Sequence, residues 1–174
     1  MKRALLIGGL FIFLGCSLGQ ILVTIVWHLL HGNIVMCADR EISVPLRWYP
    51  SVESRSVTLV KLPISIYTAH IFRAWIYLSP LSEPPQTRAE IEEAYKNFAI
   101  VYRTQLASDG NVIQGPIRIG TAANEAFCMQ SFSQNNETWF EDSCMFFQGT
   151  WRADFQGGKN DREAFYKIIL GSPR

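Results

Sequence analysis

Residues 125–155 read EAFCMQSFSQNNETWFEDSCMFFQGTWRADF, and this stretch decides the fold class. Two aromatic-rich arms, 125–132 and 139–155, flank the polar run Ser133-Gln134-Asn135-Asn136-Glu137-Thr138. Strand formers on either side of clustered turn formers describe a β-hairpin. Symmetry about Asn136 sets Ala126 against Phe146, Cys128 against Cys144 and Phe132 against Phe140. Directly opposed side chains lie about 4.5–5.5 Å apart at Cβ, and strand twist brings such a pair within disulfide reach. Cys128–Cys144 is therefore the expected disulfide; the alternative is two buried thiols packed with Phe132, Phe140 and Phe146. A redox-active pair is not expected, because there is no C-x-x-C spacing and no helix start to lower a thiol pKa. On the long second arm Gly149 is expected to mark a bulge or bend. Trp139, Met145, Phe147, Trp151, Ala153 and Phe155 are expected to share the core-facing side.

Working outward, Gly157-Gly158 closes the strand and Asn160 opens a short helix, with Glu163 at capping-box spacing. Phe165, Ile168 and Ile169 should face inward, and Gly171-Ser172-Pro173 stops the helix. Upstream, 117–119 is a short strand. Residues 87–106 form the clearest helix, with Thr87 and Glu90 as a capping box and Ile91, Ala94, Tyr95, Phe98, Tyr102 and Leu106 as one stripe. Glu92 and Lys96 are spaced as an i,i+4 pair. Residues 64–78 alternate with period two: Ala74, Ile76 and Leu78 on one face, Tyr67, Arg73, Trp75 and Tyr77 on the other. Residues 57–62 are strand-like. Pro45 and Pro50 leave 31–56 as a juxtamembrane connector with one short strand near 42–48. The fold class is α+β: an N-terminal transmembrane helix, then a small antiparallel sheet domain over 57–174 with two packed helices.

The transmembrane expectation comes from 4–30, ALLIGGLFIFLGCSLGQILVTIVWHLL, which holds no charged side chain. About 20 apolar residues span a bilayer as a helix, and glycines such as Gly8, Gly9, Gly15 and Gly19 are common in such helices. Lys2 and Arg3 in the short 1–3 tail place the N-terminus in the cytoplasm and the rest of the chain outside, at the inner membrane if the source is bacterial. A cleaved signal finds no A-x-A-like site. A lipoprotein signal would lipidate Cys16, but Phe13 is bulky for a lipobox and 21–30 is apolar where a tether is polar.

Composition narrows the function classes. The 174 residues are 48% hydrophobic and 18% charged with a net charge of +1, so the chain is neither disordered nor a basic nucleic-acid binder. His28 and His31 are spaced i,i+3 at the end of the span with Cys37 nearby, and interfacial polar residues are the expected reading, with metal or haem ligation the alternative; no hydrolase, P-loop or metalloprotease motif occurs, and no cofactor is expected. Asn136-Glu137-Thr138 is a glycosylation sequon, relevant in a eukaryotic secretory pathway. Glu141 and Asp142 are adjacent and point to opposite faces of a strand. Cys37, just beyond the span, is either a small apolar residue near the interface or a thiol able to join a second chain. Tyr67, His70, Arg73, Trp75 and Tyr77 make a partner-binding surface if their face is open, and core, the favoured reading, if helices cover it. The expectation is a non-catalytic, membrane-anchored extracytoplasmic module that binds a protein partner in or at the membrane. The alternatives are an enzyme using His70, Arg73, Glu141 or Asp154, or a subunit of a membrane complex packing through the glycines of its span.

Overall fold

Alternation builds the main sheet. Along Trp151–Gly158 the chain buries Trp151, Ala153, Phe155 and Gly157 and turns Arg152, Asp154 and Gln156 to the other side. Such period-two burial is what a strand covered on one face requires. The computed structural model describes residues 18–38, 40–62, 74–107, 111–121, 124–133 and 136–171. They form helix α1 (18–31), β1 (Ile34–Cys37), β2 (Arg40–Ser43), β3 (Trp48–Glu53), β4 (Ser56–Lys61), β5 (Trp75–Pro80), α2 (Arg88–Ala107), β6 (Asn111–Thr121), β7 (Asn124–Ser133), β8 (Asn136–Phe146), β9 (Trp151–Gly158) and α3 (Lys159–Leu170).

Seven strands make one antiparallel sheet in the order β3-β4-β5-β9-β8-β7-β6, and β1 and β2 pair separately. The β7–β8 register sets Ala126 against Phe146, Cys128 against Cys144 and Phe132 against Phe140, as symmetry about Asn136 predicts. Cys128 and Cys144 are joined in a disulfide.

The two sheet faces hold separate cores. On one, α3 packs on β7, β8 and β9. Phe165 and Ile169 meet Phe155, Ile76, Leu78, Leu59 and the disulfide, and Cys37, Ile42, Val44 and Trp48 join from the N-terminal side. Phe155 and Phe165 stack with centroids 5.1 Å apart. Fully burying one such side chain is worth about 1.5–3 kcal/mol. Cys37 is thus a buried packing residue, and its thiol does not stand exposed to meet a second chain. On the other face α2 lays Tyr95, Ala99 and Tyr102 on Phe127, Met129 and Met145.

Several expectations change. The second hairpin arm is two strands: 147–150 is a reverse turn, with Phe147 and Gln148 at φ 49° and 57° and Gly149 at 76°. That turn makes Phe146 face Trp151 and Cys144 face Ala153, so Trp139 and Met145 lie on the face opposite Trp151, Ala153 and Phe155. A period-two count continued through 147–150 has no way to register a reversal. The predicted short strand at 117–119 is the middle of the longer β6, whose register shifts between Gln114 and Ile117 around Gly115 and Pro116. Proline suits this position because β6 is an edge strand. Residues 31–56, expected as connector, carry β1, β2 and β3, with Pro45 in the break between β2 and β3. The α3 N-cap is Gly158, with no side-chain cap bond, rather than an Asn160–Glu163 box. The α2 box does form: Glu90 N donates to Thr87 Oγ1 at 3.2 Å, and Thr87 N donates back to Glu90 Oε2 at 3.1 Å. Glu92 reaches Arg118 Nη2 at 2.9 Å.

Of the expected span over 4–30, residues up to 17 lie outside the described residues. The remainder is α1, about 21 Å long at 1.5 Å per residue. Among the described residues no helix is long and apolar enough to cross a membrane.

Candidate functional site

Among the described residues, α2 covers only half of its face of the sheet. α2 rests on β6 and β7 and reaches β8 at Met145. Beyond it, side chains of β3, β4, β5 and β9 on the same face stay partly exposed: Tyr49, Thr58, Trp75, Tyr77, Arg152, Asp154 and Gln156. Strand alternation explains the split within β5. Ile76 and Leu78 enter the main core, while Trp75 and Tyr77 between them must face the other way.

A hydrogen-bonded seam joins the open half to the covered half. Trp75 Nε1 donates to Gln156 Oε1 at 2.7 Å, and Gln156 Nε2 donates to Glu141 Oε1 at 2.5 Å. Asp154 Oδ1 accepts from Ser143 Oγ and from Arg152 Nε and Nη2, at 3.2 and 3.1 Å for the guanidinium. Tyr77 stands across from Asp154 in the register. At the α2 edge, Tyr102 OH donates to the Glu141 carbonyl oxygen at 2.9 Å. Burial holds that phenol above its usual range, so it remains a neutral donor. The seam fixes the aromatic and charged side chains in place, and a surface ordered in advance loses less entropy on binding.

The opposite face holds a second polar cluster. Asp142 Oδ2 accepts from Arg162 Nε and Tyr166 OH, each at 2.6 Å, and Gln130 Nε2 donates to Tyr166 OH. The Arg162 guanidinium lies 4.5 Å from the Phe140 ring centroid. Burial pushes the Asp142 carboxyl up, and the Arg162 and Tyr166 contacts pull it part of the way back. Asp142 Oδ1 and Arg162 Nη2 are buried with no hydrogen-bond partner among the described residues. Tyr166 continues into a groove of about 730 Å³ between α3 and the β6–β7 end, with Lys167, Glu163 and Asn124 on its walls. Glu141 and Asp142 do point to opposite faces, and Glu141 and Asp154 do not line this groove.

Trp75 and Tyr77 thus share one half-open surface. Tyr67, His70 and Arg73 lie outside the described residues, as does Cys16. Arg152, Gln156 and the Asp142–Arg162–Tyr166 cluster carried no sequence signal, since each is an ordinary polar residue until the register is known. Among the described residues no group of three or more His, Cys, Asp or Glu could hold a metal ion.

The chain matches no known family model, no curated protein and no solved structure.

Proposed function

We propose that this chain is a single-pass membrane protein, N-terminus cytoplasmic and sheet domain extracytoplasmic, that works as a non-catalytic binding module. One observation carries the reading: α1 leaves a broad apolar face exposed, opposite the side on which Thr24 is buried and Trp27 packs on the domain. Within the part left to cross, Leu18, Leu22 and Val23 are exposed, Leu18 at 59% and Leu22 at 60%. An exposed apolar face of this size marks a membrane or partner contact, and α1 continues the charge-free stretch that begins at Ala4. The disulfide supports the same compartment, because such bonds persist where the environment is oxidising. The binding surface in this reading is the open half-face around Trp75, Tyr77 and Arg152, an aromatic and arginine composition enriched at protein interfaces.

The test uses the full chain in membranes. Alkaline carbonate should leave it in the pellet, and protease added on the extracytoplasmic side should digest everything after residue 31. A photo-crosslinker at Tyr77 should capture one discrete partner that the same group at Val101, on the exposed side of α2, does not. Release by carbonate overturns the membrane reading. Equal capture at both positions, or turnover of a substrate that is lost on replacing Glu141 or Asp154, overturns the binding reading.

A further inference from the structure

We infer that the groove between α1 and the 45–48 turn is a binding site for one phospholipid of the extracytoplasmic leaflet; the inference rests on the membrane reading above. The groove has a volume of about 590 Å³. Ile21, Ile25 and Leu29 line its helix wall, and Leu46, Arg47 and Leu62 line the domain wall. Its place along the helix follows from the docking of α1. Trp27 packs against the main core and lies 6.5 Å from the Tyr49 ring. His28 Nε2 sits 3.2 Å from the Trp48 carbonyl oxygen, and Nδ1 sits 2.9 Å from the Asn33 side-chain amide. The last turns of α1 are therefore held against the domain and stand outside the hydrocarbon. Residues 4–23 are left to cross, and about 20 apolar residues is the length a bilayer core requires. The groove then straddles the boundary between acyl chains and headgroups.

The walls are graded to match. The His28–Trp48 contact sets the Arg47 backbone level with His28, about 10 Å along the helix from Ile21. Ile21 and Ile25 line the membrane-ward end, and Arg47 lines the headgroup end. The turn presents Leu46 at 71% exposure. It also holds Arg47 at φ 75°, a left-handed conformation costly for a side chain of this kind. Two backbone bonds maintain it: Leu62 N donates to Arg47 O at 2.8 Å, and Trp48 N donates to Pro45 O at 3.1 Å. An apolar chain and an anionic phosphate on one molecule satisfy both ends, the cationic Arg47 side chain complementing the phosphate charge.

The experiment reconstitutes the full chain in phosphatidylglycerol nanodiscs containing a small fraction of the same lipid with a diazirine in one acyl chain. After irradiation, label should be found on both walls, in peptides from 18–31 and from 44–62. Arg47→Glu should reduce label on 44–62 by about tenfold, the equivalent of one lost charge-assisted hydrogen bond; Leu46→Asp, which puts a charge on the apolar wall, should reduce it as well, while Arg47→Lys retains it. Intact Cys128–Cys144 in each variant confirms that the domain has folded. Label confined to 18–31, or label on 44–62 that all three variants leave unchanged, overturns the site while the membrane reading stands. A chain that carbonate strips from the membrane overturns both.

Discussion

Arg162 Nε and Asp142 Oδ2 meet at 2.6 Å beneath α3, with the carboxylate side chain wholly buried and the arginine side chain 17% exposed. Removing one partner of such a pair leaves an uncompensated charge in the core, which typically costs about 3–5 kcal/mol. Arg162→Ala is accordingly expected to be among the most damaging single substitutions in α3, measured as a fall in the denaturation midpoint. A loss below about 1 kcal/mol, the ordinary range for an exposed pair, would show that the pair is not buried in solution.

The same carboxyl gives a pH signature. Its folded pKa is raised, chiefly by burial, so the folded state holds a proton that the unfolded chain releases. Stability contributed by this group is present below the ordinary aspartate value of about 3.9 and declines as pH rises through the elevated folded value. Unfolding free energies across this acid range should therefore fall with rising pH more steeply in the native chain than in Asp142→Asn. Parallel curves would refute the assignment.

Cys128 and Cys144 close a loop of sequence separation 16, for which cross-linking restricts the unfolded chain by about 3 kcal/mol. Replacing both with alanine should lower stability by about that amount. Because both residues are fully buried, reductant should open the native bond slowly and the denatured one quickly, read by alkylation and mass shift.

Tyr77 and Leu78 are neighbours on opposite faces of β5. Leu78→Ala should cost about 2–5 kcal/mol, as expected for a fully buried aliphatic chain. Tyr77→Ser should cost well under that and reduce partner crosslinking instead. If the two losses are equal, the Tyr77 face is core.

Thr87→Ala removes the acceptor for Glu90 N at the start of α2 and should cost about 1 kcal/mol. The helix should fray from its first turn, detectable as faster amide exchange there.

The parts of the fold set by local periodicity were readable in advance. The α2 stripe and its cap, the buried face of α3, the split faces of Ala74 to Leu78 and the 126–146 register follow from spacing alone. The parts set by chain reversal or distant pairing were not. The 147–150 turn depends on three successive left-handed residues, of which two are ordinary side chains. The β5–β9 pairing joins segments about 75 residues apart, and nothing in either segment names the other. The candidate surface inherits that blindness: Trp75 finds Gln156, and through it Glu141, only once β5 and β9 are adjacent.

The β5–β9 junction also sets an order of assembly. Pro80 lies against Trp151, and Leu81 N bonds to Thr150 O, so the chain leaves the sheet and returns to it at the same place. Everything between, α2 and β6 to β8, pairs with near neighbours and can close early; the disulfide lies wholly inside that section. In synthesis order β3 to β5 come first and hold an unpaired strand edge until β9 emerges. The newborn chain is thus most exposed to wrong pairing during that wait, and agents that shield strand edges should matter more to its yield than agents that speed disulfide formation.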